Sequence, residues 1–205
     1  GNSTFDRFGC LDSDGDGYSD SDALWNMSSG SDAFPFEATQ NADQDNDGFG
    51  DNPTGFEADD CPTTQGSSFR DTFGCADEDN DGMSDLNDDF LGESTQWTDS
   101  DSDGFGDEEN GTQGDFCPLE LGTSTIDVFG CADTDSDGYS DINDVWPNDA
   151  SQWYDDDMDG FGDENSGTAP DQCPDEYGTA SLGTLQGCPD TDGDGYADSE
   201  DAFPL

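Results

Sequence analysis

Apolar residues in this chain stand singly or in short groups, flanked by Asp, Gly, Ser or Asn. No segment alternates apolar and polar positions for long enough to predict a strand. No apolar stripe with a 3.6-residue period extends over three turns, so no sustained helix is predicted either. Segments such as "INDVW" (142–146) allow at most a single helical turn. Glycine recurs at a frequency that implies turns. The pattern predicts loops with little regular secondary structure.

Those loops repeat. "FGC" occurs at 8–10, 73–75 and 129–131, and "GCPD" at 187–190 holds the same place once more, while "CP" recurs at 61–62, 117–118 and 173–174. Repeats are expected at 1–65, 66–121 and 122–178, with a partial one at 179–205. The first starts partway through and carries nine extra residues near 26–36. "GNSTFDRFGC" at the start matches "GTSTIDVFGC" (122–131), and "DAFPL" at the end matches "DAFPF" (32–36). The segment is therefore expected to be a window on a longer repetitive chain.

Composition changes this picture twice. The 205 residues include 54 Asp plus Glu, two Lys plus Arg and no His, for a formal charge of −52. Low hydrophobicity with such charge would by itself predict disorder. Against that stand 14 Phe, five Tyr, four Trp, 27 Gly and seven Cys, many at recurring positions. The charge repels nucleic acids and anionic membranes, so neither is an expected partner. No apolar stretch approaches the ~20 residues of a membrane span, and no membrane insertion is expected.

The acids are ordered as D-x-D-x-D-G-[FYM]-[SGA]-D, seven times, in two alternating types. Carboxylates this close repel strongly unless a cation lies among them. Calcium takes six to eight oxygens, and a 12-residue loop supplies them from positions 1, 3, 5, 7 (a carbonyl), 9 and 12, with Gly at 6 for the sharp turn. Oxygen-only ligands disfavour thiolate-loving metals, the lack of His disfavours zinc, and magnesium demands a tighter octahedron.

The first-type loops follow the FGC cysteine. Their candidate ligands are Asp12, Asp14, Asp16, Tyr18, Asp20 and Asp22; then Asp77, Asp79, Asp81, Met83, Asp85 and Asp88. The later two copies offer Asp133, Asp135, Asp137, Tyr139, Asp141 and Asp144, and Asp190, Asp192, Asp194, Tyr196, Asp198 and Asp201. Position 12 is Ala23 in the first copy, so Asp22 is taken as its substitute. The second-type loops precede the CP cysteine: Asp43, Asp45, Asp47, Phe49 and Asp51; Asp99, Asp101, Asp103, Phe105 and Asp107; Asp155, Asp157, Asp159, Phe161 and Asp163. Their position 12 is Thr54, Asn110 or Ser166, so Asp59, Asp115 and Asp171, each two residues before Cys, are expected to fold back as late ligands.

Tandem D-x-D-x-D-G-x-x-D loops of two alternating types, punctuated by D-x-C-P, resemble the thrombospondin type 3 repeats over essentially the whole chain. The resemblance implies an elongated, extracellular, calcium-stapled and disulfide-linked array with at most short helical turns. The chain departs from that family in its longer repeat, of about 56 residues, and in placing cysteines outside the acidic loops.

Cys61 and Cys75, Cys117 and Cys131, and Cys173 and Cys188 are 14, 14 and 15 residues apart. Local pairing is the simplest connectivity, each bridge contributing roughly 3 kcal/mol in the loop-entropy model. Cys10 is left over: its partner precedes Gly1, or it is a free thiol, or it bonds another chain. Trp25, Trp97, Trp146 and Trp153 lie between loops and are read as parts of small clusters between neighbouring loops rather than as a carbohydrate platform. Asn2, Asn26 and Asn110 fit N-x-[ST] and are candidate glycosylation sites.

The function expected is that of an extracellular or cell-surface calcium-binding structural repeat: a stalk, spacer or filament component, with copies joining end to end. The alternative is a calcium-dependent adhesive or dockerin-like module for a protein or glycan. An enzyme is not expected, since the chain lacks His and any G-x-S-x-G nucleophile motif.

Overall fold

The computed structural model describes residues 1–205. Its sole helix is a 3-10 turn, Met27–Ser29, inside the nine-residue insertion. "INDVW", where the sequence allows at most a single helical turn, forms one turn in which the Asn143 and Asp144 amides both donate to the Ser140 carbonyl. Pairing between extended segments is limited to five isolated bridges, such as Gly50 with Ala58 and Gly162 with Pro170. The chain divides into two compact units, Gly1–Thr98 and Asp99–Leu205, the division falling within the second repeat. The first unit holds the loops at 12–20, 43–51 and 77–85; the second holds those at 99–107, 133–141, 155–163 and 190–198.

Three disulfides join Cys61 to Cys75, Cys117 to Cys131 and Cys173 to Cys188, while Cys10 is unpaired. Each closes the Gly/Ser/Thr-rich segment that leads into a first-type loop, and backbone bonds dock that segment onto the loop. In the second unit the Thr125 and Ile126 amides both donate to the Gly138 carbonyl, and Ser181 and Leu182 repeat this on Gly195. In the first unit Phe69 and Arg70 do so on Gly82, and Thr4 and Phe5 on Gly17.

Almost nothing apolar is buried. The buried hydrophobic residues are Cys131, Ala180, Cys188 and Ala197. The largest fully enclosed side chains are Gln96, Gln152 and Asp171. Hydrogen bonds therefore take over the organising role that an apolar core plays elsewhere. Gln152 donates to the Glu164 and Thr168 carbonyls and accepts from the Glu164 amide; Gln40 does the same with Asn52 and Phe56. Each glutamine lies against position 8 of a second-type loop, where a Cβ on Gly50 or Gly162 would strike its amide.

Position 8 of the first-type loops is handled differently, and this explains the two types. Ser140 donates to Asp127 through both its amide and its hydroxyl, as Ser84 does to Asp71 and Ser19 to Asp6. Nearby, Ser68 and Ser124 accept from the Cys75 and Cys131 amides. In the last repeat three polar positions change together. Ala180 replaces Ser124, Gly183 replaces Asp127 and Ala197 replaces Ser140. Ala180, Ala197 and Cys188 then form a small apolar cluster, flanked by Cys173 and Leu185. One polar and one apolar solution thus occupy the same place in successive repeats.

Aromatic residues pair locally. Phe49 meets Phe73 and Phe105 meets Phe129, each at 5.8 Å between ring centroids, and Tyr139 stacks on Trp153 at 5.1 Å. Both cations of the chain cover indoles: Arg70 lies 4.3 Å from the Trp97 centroid and Arg7 5.4 Å from that of Trp25.

Replacing Ser140 by Ala strips Asp127 of one buried donor while leaving its charge. A loss of about 1–2 kcal/mol is expected in urea unfolding with calcium present. Ala197→Ser, which buries a hydroxyl opposite Gly183, should also destabilise; two neutral results would contradict the packing described.

Candidate metal centres

All seven acidic loops share one backbone design. Position 1 caps the loop from within: Asp133 accepts the Ser136 and Gly138 amides on its two oxygens, at 2.7 and 3.0 Å. Asp12, Asp43, Asp77, Asp99, Asp155 and Asp190 repeat this with the amides of positions 4 and 6. Aiming both amides at one carboxylate requires a left-handed backbone at positions 4 and 6. Position 6 is always Gly, with φ between 94° and 103°. Position 4 is Asn, Gly, Ser or Met at φ between 62° and 87°.

Position 9 is the clasp. Its amide donates to the residue before position 1, as from Asp141 to Ala132, and its carboxylate accepts from position 2. Asp20, Asp107, Asp141 and Asp198 each take an amide and a hydroxyl from Ser13, Ser100, Thr134 and Thr191. Asp51, Asp85 and Asp163 take the position-2 amide alone. Position 9 is expected from the sequence to be a ligand; each of its oxygens accepts one bond that closes the loop wherever position 2 is Ser or Thr, and Asp163 keeps a buried oxygen with no hydrogen-bond partner.

Between these anchors the remaining carboxylates converge. One oxygen from each of positions 1, 3 and 5 lies within 4.8 Å of the other two in Asp12, Asp14 and Asp16; Asp43, Asp45 and Asp47; Asp77, Asp79 and Asp81; Asp99, Asp101 and Asp103; and Asp133, Asp135 and Asp137. Two such charges repel by about 1 kcal/mol in water and by about 3 kcal/mol in partly buried surroundings.

A late acid faces six of the seven loops, close enough to feel the charges of positions 3 and 5. Asp59, Asp115 and Asp171 donate their own amides to the position-8 carbonyls of Gly50, Gly106 and Gly162, which swings each carboxylate over its loop. One oxygen of each accepts the amide of the following Cys at 2.6–2.7 Å. Asp144 and Asp201 make the same bonds to Ser140 and Ala197, with Trp146 and Phe203 as donors, and Asp88 accepts from Phe90.

The first loop corrects the sequence reading. Asp22 lies elsewhere, paired with Arg7 at 2.8 Å and accepting the Leu24 amide. Asp32 takes the late place: its amide donates to Ser19, its carboxylate accepts from Phe34, and Asp16, Asp14 and Asp20 are the charges acting on it. The insertion lies between Asp20 and Asp32, so counting to position 12 missed it. The signal was D-x-[FW], present as "DAF" at 32–34, "DDF" at 88–90 and "DVW" at 144–146.

The oxygens left over test what these groups fit. Buried carboxylate oxygens with no hydrogen-bond partner occur at position 3 (Asp14, Asp45, Asp79, Asp101, Asp135, Asp157), at position 5 (Asp81, Asp137), at the late place (Asp32, Asp59, Asp115, Asp171), once at position 9 (Asp163) and once outside the loops (Asp6). Burying such an oxygen unpaired is costly. Their recurrence at ligand positions, with no nitrogen or sulfur donor among them, fits a hard cation. The chain can hold such an ion with Asp at positions 1, 3 and 5 and the late Asp; the position-7 carbonyl comes from Tyr18, Phe49, Met83, Phe105, Tyr139, Phe161 or Tyr196.

Titration follows the same geometry. Burial, with repulsion from the loop acids, pushes Asp32, Asp59 and Asp115 up to about 6, and raises Asp88, Asp144 and Asp171. Asp71 and Asp127 go the other way. Burial opposes their charge, but bonds from Ser84 and Asn87, and from Ser140 and Asn143, hold them down to about 2.

The sequon residues Asn2, Asn26 and Asn110 are all exposed. No helix is long and apolar enough to cross a membrane. Three disulfides suit an oxidising, extracellular-type environment. No family model matches the chain, and no curated protein matches it significantly.

Two outcomes are expected. Asp32→Asn should weaken one divalent-cation site at least tenfold in calorimetry while Asp22→Asn leaves the stoichiometry unchanged; the reverse would displace Asp32 from the site. Because the late acids bind protons more tightly folded than unfolded, the metal-free fold should lose stability as pH rises from about 4 to about 6. Cation affinity should fall as pH drops below about 6, since protons then compete for the same oxygens, and a flat profile from pH 7 to 5 would contradict this.

Proposed function

We propose that this chain is an extracellular calcium-binding structural repeat protein of the thrombospondin type 3 kind, a stalk, spacer or surface-fibre component whose loops are stiffened by their ions. The observation that carries this reading is the recurrence, in loop after loop, of buried carboxylate oxygens with no protein donor, gathered beside position 3. Calcium is the preferred ion because its larger, more flexible shell accepts carboxylates and a carbonyl together, whereas magnesium retains water. Seven calcium ions would offset 14 of the 52 negative charges.

Energetics support a structural role. With four small hydrophobic residues buried, apolar burial contributes little. A site held at a hundred times its dissociation constant adds about 2.7 kcal/mol. Several such sites outweigh that apolar term and act on every repeat. Copies of the chain joining end to end would extend the same array into a fibre. Sugars on Asn2, Asn26 or Asn110 would add bulk to exposed loops without entering the ion groups.

Calcium titration of the intact chain should give about seven ions, and chelation should abolish the near-UV aromatic signal and expand the hydrodynamic radius. An unchanged near-UV spectrum and unfolding midpoint in EDTA would sink the proposal. Recovery with magnesium at equal concentration would reassign the ion.

A further inference from the structure

Repeat 1 differs from repeats 2 and 3 at one aromatic place. Two residues before the second-type loop, Trp97 and Trp153 accept backbone bonds from the Asp89 and Val145 amides. The same bond in repeat 1 runs from Ala33 to Asn41. Asn41 therefore stands where the other two repeats carry an indole.

The indole's absence matters because of its partner. In repeat 3, Trp153 stacks nearly parallel on Tyr139, at 5.1 Å and 13°. The counterpart of Tyr139 in repeat 1 is Tyr18, whose ring contact is with Phe5. Beside Tyr18 lies a cavity of about 380 Å³, whose lining includes Met27, Asn41, Asp43, Gln44 and Asp51. Met27 comes from the 3-10 turn of the insertion, so the nine extra residues wall a slot that the missing indole leaves open. The volume lies within the range of small-molecule sites, at its lower end.

We propose that this slot binds a pyranose ring of an uncharged glycan, stacked on Tyr18 in the place that Trp153 fills on Tyr139. The side-chain amides of Asn41 and Gln44 make no hydrogen bond within the chain, and each offers both a donor and an acceptor. A sugar's hydroxyls use both, whereas an aromatic guest would bury those amides unpaired. The Tyr18 ring supplies the apolar face that a pyranose C–H surface needs. Asp51 at the lining repels anionic ligands and offers an oxygen to accept a hydrogen bond from a hydroxyl. The inference goes beyond a structural role and requires only that loop 43–51 be folded.

Saturation-transfer NMR on the intact chain in calcium tests it, with methyl glucopyranoside, methyl mannopyranoside and N-acetylglucosamine as probes up to 10 mM. Ring-proton saturation is expected for at least one sugar. Asn41→Trp, which copies repeat 3, and Tyr18→Met, which copies Met83 of repeat 2, should each reduce affinity at least fivefold. Both residues are tolerated at these positions elsewhere in the chain, and near-UV spectra would verify folding. Tyr177→Met, at an exposed ring outside every acidic loop, should leave sugar binding unchanged. No saturation by any of the three sugars, equal binding by Asn41→Trp, or an indole probe displacing the sugar at lower concentration would each overturn the assignment.

Discussion

The mutual repulsion of carboxylates, held in register by backbone amides, is the constraint on which the rest of this structure depends. Position 1 of every loop accepts two amides, position 5 accepts the amide of position 7, and the late acid is tethered by its own N–H. The chain thereby spends its local hydrogen bonds on bringing like charges together, which raises the electrostatic energy of the metal-free state. A cation entering the group meets oxygens already aimed at it, with little ordering left to do.

A second consequence is that specificity in the interior comes from hydrogen-bond geometry. Serine, glutamine and aspartate occupy the enclosed places, and each has partners that an alternative packing would leave unmatched. Position 8 illustrates this: glycine where a glutamine amide presses in, serine where a carboxylate must be met from two atoms. The last repeat replaces that serine–aspartate pairing with alanine, glycine and alanine as a set, which marks these positions as one physical unit.

Much of this was legible in the sequence, because the features that repeat are local. Loop positions 1, 3, 5 and 6, the cysteine pairs and the shortage of helix and strand follow from spacing and turn chemistry alone. What escaped needed contacts across longer separations. Asp32 was hidden by an insertion that broke the count, although its D-x-F context was visible. The clasp bonds of position 9 were hinted at by Ser or Thr at position 2, but a bond across seven residues is not visible in the spacing of acids alone. The burial of Gln40 and Gln152 had only a faint mark, a Gln three residues ahead of each loop, since long polar side chains are ordinarily solvent-facing.

The two arginines carry one more implication. Lysine is absent, so a protease that reads basic side chains finds only the bonds after Arg7 and Arg70. Both guanidinium groups are drawn onto indole faces, and Arg7 is also tied to Asp22. To be cut, such a bond must first leave its neighbours and open into an extended strand. Trypsin-like digestion therefore has almost no foothold on this chain, and cleavage falls to enzymes that recognise aromatic or small residues.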